Sequence, residues 1–151
     1  MNYAAIKKTD IANGDGVRVS IWVSGCPIHC EGCFNKDLWD FTYGKPFTDD
    51  TIQEILTALE PSYISGLSIL GGEPLCEENY IEVTNLINKV RKKFGTKKTI
   101  WVYSGYTYSD LYSMKCCLDV DVLVDGPFIL SEKDISLKFR GSRNQNIIRL
   151  T

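Results

Sequence analysis

Three cysteines lie close together in the first part of the chain, Cys26, Cys30 and Cys33, with the spacing Cys-x3-Cys-x2-Cys. Thiols this close are usually metal ligands, because one soft metal centre can neutralise several thiolates at once. Disulfides explain them poorly, since three is an odd number and the spans between the cysteines are very short. The sequence therefore predicts a metal site, and the fold has to present this stretch where a metal can bind.

The cysteine group lacks a fourth thiol ligand nearby, because the next cysteine along the chain is Cys76. Structural zinc sites and electron-transfer iron–sulfur clusters are usually closed by four protein ligands. Three cysteines on a four-iron cluster leave one iron open, and a substrate or cofactor can bind there. A Cys3His zinc site with His29 is the alternative, although His29 and Cys30 would both have to turn inward from adjacent positions.

The cysteines follow a predicted strand, Val17–Val23, in which apolar residues alternate with others as in a half-buried strand. Ser24-Gly25 ends this strand, so the thiols are expected just past its carboxyl end. Open α/β sheets and barrels bind their ligands at this edge. Gly71-Gly72-Glu73-Pro74 follows another predicted strand at 67–70 and is expected at the same edge. Its glycines let the backbone approach a ligand closely, although a plain strand-to-helix turn would also use them.

Strands and helices alternate along the rest of the chain. Apolar residues at steps of three and four predict a helix after Thr48, a longer one over Glu77–Phe94 and a short one from about Ser109. Further strands are predicted at 99–103, 120–124 and 146–150, and an irregular loop at 35–47. This order predicts an α/β fold of mainly parallel strands with right-handed crossovers. The predicted strands are too few to close an eight-stranded barrel, so we expect an open partial (β/α) barrel.

The composition is that of an ordinary soluble domain, and 151 residues are most simply one domain. A net charge of −2, from 17 basic and 19 acidic residues, gives no support to a nucleic-acid or membrane-surface partner. No apolar run resembles a signal peptide or a membrane span. We therefore expect a cytoplasmic protein, in which six cysteines indicate metal chemistry rather than disulfides.

The cysteine spacing, with Phe34 after the third cysteine and the Gly-Gly-Glu-Pro motif, resembles the radical S-adenosylmethionine (SAM) family. Within that family the chain is similar to the proteins that activate anaerobic (class III) ribonucleotide reductase, over about Ile11 to Gln145. The stretches that carry this similarity are Asn13-Gly14, 23–26, 33–36, 101–106, 122–126 and 140–145.

The resemblance implies an oxidoreductase, a glycyl-radical activase, that consists of a single radical SAM domain over residues 1–151. Its 4Fe-4S cluster and an external one-electron donor would cleave SAM to a 5′-deoxyadenosyl radical. That radical would take a hydrogen from a glycine Cα of the reductase large subunit. Radical SAM chemistry on another substrate and a zinc-binding interaction module remain alternatives.

The resemblance also implies roles for particular residues. The cluster ligands would be Cys26, Cys30 and Cys33. Gly32, Cys33 and Phe34 would lie along the SAM adenine, and the Gly72 backbone would contact the methionine moiety. No catalytic acid or base is expected among the side chains, because the cofactor carries the chemistry.

Two polar residues and three cysteines complete the set of candidates. Ser104 and Asp125 each follow a strand, and either capping a turn or contacting SAM would explain them. Cys76, Cys116 and Cys117 match no family role and are expected to be buried or surface thiols.

Overall fold

The computed structural model describes residues 1–116 and 118–151, so the expectation for Cys117 lies outside the described residues. The strands are β1 (Asn2–Asp10), β2 (Val17–Val23), β3 (Lys45–Pro46), β4 (Ile64–Gly71), β5 (Thr99–Tyr103), β6 (Val122–Asp125) and β7 (Asn146–Arg149). The helices are α1 (Asp49–Leu59), α2 (Glu77–Phe94) and α3 (Tyr108–Ser113), with short 3-10 turns at Lys36–Trp39 and Leu130–Glu132. None of the helices in the described ranges is long and apolar enough to cross a membrane.

The strands form one sheet in the order β3-β1-β2-β4-β5-β6-β7. The central strands β2, β4, β5 and β6 are parallel, and one helix lies between each successive pair along the chain. The outer strands β1, β3 and β7 pair antiparallel with their neighbours. This linear order has two edges, so the predicted open α/β sheet is confirmed, although its flanks are antiparallel.

The predicted boundaries differ from the observed ones mainly for the strands, whose ends depend on pairing with neighbouring strands more than on the local sequence pattern. Helix α2 has the predicted bounds, because acidic Glu77 and Glu78 begin it and basic residues precede Gly95 at its end. Strand β4 starts earlier than predicted and β6 starts later. The sequence prediction missed β1 and β3, and the loop predicted at 35–47 contains β3 and a 3-10 turn.

The two faces of the sheet are packed differently. On β5, Ile100 and Val102 point into the main core with the apolar sides of all three helices. The intervening Trp101 and Tyr103 point to the opposite face, where Val122, Val124 and Phe139 pack around them. The helices therefore cover one face, and loops cover the other.

A buried arginine fills the amino-terminal half of the loop-covered face. Arg18 is fully buried and donates to Ser68 Oγ at 2.8 Å, to Thr99 Oγ1 at 2.9 Å and to backbone carbonyl oxygens. Burial lowers its pKa to about 10, since these acceptors are neutral. The space beside Ser68 and Thr99 on this face is therefore filled by protein side chains.

Candidate metal and cofactor site

A cavity of about 380 Å³ lies at the carboxyl ends of the central parallel strands. This volume is in the ordinary range for a small-molecule site. The turns that follow β2, β4, β5 and β6 all contribute to its wall. The lining residues from these turns include Cys26, Cys30, Cys33, Gly71, Gly72, Glu73, Ser104, Gly105 and Gly126. The structure thus brings the cysteines and the Gly-Gly-Glu-Pro motif together at the predicted edge of the sheet.

The cysteine loop is held by backbone hydrogen bonds to the 3-10 turn that follows it. Gly25, at φ 96°, donates its N–H to Leu38 O at 2.8 Å, and Cys26 N donates to Trp39 O at 3.3 Å. The thiol of Cys26 is buried, whereas Cys30 and Cys33 are half-buried. The loop therefore places one thiol deep in the wall and two nearer the opening.

The Cys26 thiol has backbone N–H groups directed at it. Burial raises its pKa, while hydrogen bonds from the backbone of His29 and Ile28 act in the opposite direction and favour the thiolate. A thiol must lose its proton to bind a metal. A positive metal centre at this position would complete the stabilisation that the two N–H groups begin.

The arrangement of the thiols fits a cluster better than a single ion. Within residues 1–116 and 118–151, no three His, Cys, Asp or Glu side chains converge so that they could hold one metal ion. The ring of His29 instead stacks on Trp39, with centroids 4.3 Å apart and planes at 9°. The structure thus gives no support to a Cys3His zinc site. Each thiolate of a four-iron cluster binds a different iron, so the thiols need only surround a common cavity, as they do here.

The two glycines of the second motif pack against neighbouring backbone, Gly71 against the end of β2 and Gly72 against the cysteine loop. Gly72 N donates to Val23 O and Glu73 N donates to Gly25 O, both at 2.8 Å. A Cβ on Gly72 would lie 2.5 Å from Gly25 O and 2.8 Å from Leu38 O. A side chain at this position would therefore meet the backbone of the cysteine loop and the turn after it, and the positive φ of the motif, 120°, belongs to Gly71.

Glu73 is a buried carboxyl group in the cavity wall. Its Oε1 accepts hydrogen bonds from Leu75 N at 3.0 Å and Ser104 Oγ at 2.8 Å, and its Oε2 accepts one from Gly105 N at 2.7 Å. Burial raises the pKa of Glu73 to about 7, although these donors favour the carboxylate. Glu73 thus links the turn after β4 to the turn after β5.

Ser104 and Asp125 both accept hydrogen bonds from backbone N–H groups. The Oγ of Ser104 accepts from Tyr106 N at 3.1 Å as well as donating to Glu73. Asp125 accepts from Tyr108 N at 2.8 Å and from Asn146 N at 3.1 Å. Ser104 lines the cavity, but Asp125 does not. Turn capping accounts for the contact of Ser104 with Tyr106, whereas Asp125 bonds to the first residues of α3 and β7, 17 and 21 residues away in the chain.

The residues expected along the SAM adenine are only partly in the cavity wall. Cys33 and Phe34 line the cavity, and the Phe34 ring, 66% exposed, packs against Phe128 with centroids 5.2 Å apart. Gly32 does not line the cavity, and a Cβ there would lie 2.9 Å from a methyl group of Leu130.

Sequence reasoning assigned no role to three side chains in the cavity wall. Trp39 Nε1, Tyr103 Oη and Arg140 Nε are buried and have no hydrogen-bond partner in the part of the chain that the structure describes. Each of these groups can donate a hydrogen bond. A ligand rich in acceptors, such as one with a carboxylate, ribose hydroxyls and ring nitrogens, fits such a wall. Tyr103 and Arg140 lie in stretches that carry the family similarity, and this similarity is the one sequence feature that could have indicated a role for them.

The remaining described cysteines lie outside the cavity wall. Cys76 precedes α2, its Sγ donates to Glu73 O at 3.2 Å, and burial raises its pKa to about 12. Cys116 is half-buried and packs against the main core. Both positions agree with the expectation of buried or surface thiols.

Comparison with known proteins shows the family of this chain. The family model of a 4Fe-4S single cluster domain matches residues 12–148, which supports an iron–sulfur cofactor. The anaerobic ribonucleoside-triphosphate reductase-activating protein of Enterobacteria phage T4 is 40% identical, over 97% of this chain and 93% of its own. The proteins of the same name from Pasteurella multocida strain Pm70 and Escherichia coli strain K12 are each 38% identical, over at least 99% of both chains. The chain therefore belongs to the family of anaerobic ribonucleoside-triphosphate reductase-activating proteins.

Proposed function

We propose that this chain activates an anaerobic ribonucleotide reductase by generating a glycyl radical on its large subunit. The observation that carries the proposal is the common cavity of three thiols and a backbone-packed glycine turn at the strand ends. The names of the similar proteins support the same target, the reductase.

We assign the cluster ligands to Cys26, Cys30 and Cys33 and the open iron to SAM. When bound, the reduced cluster supplies the electron that cleaves the sulfonium of SAM. The protein's own contribution is position and exclusion of water. Phe34 and Cys33 offer a surface for the adenine, and the turn at Gly72 offers backbone groups to the methionine moiety. The open sheet is then a partial (β/α) barrel of the radical SAM type, and residues 1–151 form one such domain.

The overall reaction balances with one external electron. An external one-electron donor would supply this electron through the cluster, and SAM plus one electron would give methionine and a 5′-deoxyadenosyl radical. This radical would take one hydrogen atom from a glycine Cα of the reductase, which would yield 5′-deoxyadenosine and leave the unpaired electron on the glycine. The opening of the cavity, with the exposed ring of Phe34 at its edge, gives a loop of another protein access to this site.

Electron paramagnetic resonance (EPR) spectroscopy of the reductase tests the proposal. The anaerobically reconstituted protein is incubated with the large subunit of an anaerobic reductase, SAM and dithionite. We expect a glycyl radical doublet, and no doublet when the radical-bearing glycine of the subunit is replaced by alanine or when Cys30→Ala replaces the wild type. Cleavage of SAM without a reductase radical would show that the substrate is a different one.

A further inference from the structure

Asn79 is a buried polar residue in the first turn of α2, and it lies outside the cavity wall. Its Nδ2 donates to Ser24 O at 3.0 Å, to Glu73 O at 3.1 Å and, with a longer contact, to Gly25 O at 3.4 Å. Ser24 and Gly25 begin the cysteine loop, and Glu73 belongs to the Gly-Gly-Glu-Pro turn. One side-chain amide therefore ties together the two segments to which the cluster and the methionine moiety of SAM are assigned.

The orientation of the Asn79 amide follows from these neighbours. Nδ2 carries two hydrogens and can donate to the carbonyl oxygens, whereas Oδ1 can only accept a hydrogen bond. Rotating the amide by half a turn would bring Oδ1 against three carbonyl oxygens, so the observed orientation is the favourable one. Oδ1 is buried without a hydrogen-bond partner in the described residues, which costs free energy. Asn79 therefore leaves one acceptor unsatisfied while it bridges both segments.

Helix α2 holds this amide in a fixed position. Asn79 N donates to Cys76 O at 3.1 Å in the first turn, and the side chains of Val83, Leu86 and Ile87 on the same helix are buried in the main core. A side chain on a packed helix keeps its position more closely than one on a loop. Asn79 thus ties both loop segments to a rigid element of the core.

We propose that Asn79 is a positioning residue, which sets the distance between the cysteine loop and the Gly-Gly-Glu-Pro turn. It acts through its backbone contacts, because Gly25 directly precedes Cys26 and Glu73 directly follows Gly72. A displacement of about 1 Å in a positioned reactant costs on the order of a hundredfold in rate, so this distance matters for SAM at the open iron. The inference rests on the proposed function, since SAM is the ligand whose placement depends on this distance.

Replacement of Asn79 by apolar residues tests this role. Asn79→Leu keeps the approximate volume of the side chain and removes the donor, and Asn79→Ala is a second, smaller variant. Val83→Ala is the control, because Val83 is fully buried on the same helix, packs in the main core and lies outside the cavity wall. Urea unfolding of the cluster-free protein measures stability, and iron and sulfide analysis measures cluster assembly. Equilibrium dialysis of SAM against the oxidised, reconstituted protein, which lacks the electron for cleavage, measures SAM binding.

Both Asn79 variants should retain the iron and sulfide content of the wild type, since the three thiols lie in one loop and the substitutions add no atom to it. Their dissociation constants for SAM should rise by roughly ten- to hundredfold, the usual effect of losing an outer partner that orients a site. Val83→Ala should lower stability and bind SAM like the wild type.

Unchanged SAM binding by both Asn79 variants would overturn the inference. Loss of iron in these variants would overturn it too, because the amide would then shape the cysteine loop itself. Equal weakening of SAM binding by Val83→Ala at the same loss of stability, or failure of both Asn79 variants to fold, would show that Asn79 acts on stability alone. A wild type that does not bind SAM would instead contradict the proposed function.

Discussion

Ser104 Oγ donates a 2.8 Å hydrogen bond to the buried carboxyl group of Glu73, which joins the turns that follow two neighbouring parallel strands. Gly105 N adds a second bond to the other oxygen of Glu73 at 2.7 Å. Glu73 N in turn donates to Gly25 O, next to the first cysteine. One acidic residue thus connects the cysteine loop, the glycine turn and the end of β5.

The pH dependence of stability should report on Glu73. Burial raises its pKa from 4.5 to about 7 in the folded protein, so the folded state holds this proton more tightly than the unfolded chain does. The resulting stabilisation is fully present below the unfolded pKa and is lost as the pH rises through about 7. Glutamine cannot titrate. The difference in free energy of unfolding between wild type and Glu73→Gln should therefore be largest near pH 4.5 and shrink through pH 7.

Urea unfolding of the cluster-free protein under reducing conditions, at a series of pH values, measures this difference. Glu54→Gln is the control. Glu54 is exposed, and its surface ion pair with Lys8, at 3.8 Å, contributes little to stability. The difference in free energy of unfolding between wild type and Glu54→Gln should therefore show no comparable change with pH. If the difference in free energy of unfolding between wild type and Glu73→Gln stays constant with pH, the pKa of Glu73 is not raised by folding, and the prediction is wrong.

A methyl group at Gly72 should disturb the cysteine loop as well as the SAM site. The added Cβ would lie 2.5 Å from Gly25 O, so Gly72→Ala must displace the backbone beside Cys26. We expect a destabilisation of roughly 1–3 kcal/mol and reduced iron uptake on reconstitution, measured by denaturation and by iron analysis.

Gly95→Ala is the matched control for Gly72→Ala. Gly95 has φ 59° and open space around its Cβ position, so alanine there is strained but distant from the site. It should lower stability without lowering the iron content. Full iron uptake by Gly72→Ala would show that the cysteine loop does not depend on this packing.

The described cysteines should separate into two groups by iron content. Cys26→Ala, Cys30→Ala and Cys33→Ala should each lose most iron and acid-labile sulfide, because each would remove one of the three proposed cluster ligands from the cavity wall. Cys76→Ala should keep the cluster, since Cys76 lies outside the cavity wall and its Sγ donates to Glu73 O. A loss of iron in Cys76→Ala as large as in the other three would mean that four thiols hold the cluster.

The sequence predicted best where local pattern decides the structure. Helix α2 has a clear apolar period and charges matched to its dipole, and it was predicted to the residue. Strand β1 is mostly half-buried or exposed and depends on its pairing with β2, a tertiary contact that its own residues do not encode. For the same reason the two-residue strand β3 was not predicted.

For the site, the location of the thiols and of the glycine turn at one edge of the sheet could be predicted from the sequence, because both segments directly follow strands. The residues that these turns contact elsewhere in the fold could not be predicted. The packing of Gly72 against Gly25 and the bond from Ser104 to Glu73 join distant parts of the chain. Arg140 reaches the cavity only through the loop after β6, so its contact with the site is visible only in the fold.

The central claim is that three cysteines hold a four-iron cluster whose fourth iron binds SAM. The most direct test is the EPR spectrum of the reduced, reconstituted protein with and without SAM, recorded beside an iron, sulfide and zinc analysis. We predict four iron and four sulfide per chain, by the stoichiometry of a 4Fe-4S cluster, and a reduced-cluster signal whose shape changes when SAM is added. Bound zinc without iron, or a cluster signal that SAM leaves unchanged, would contradict the account.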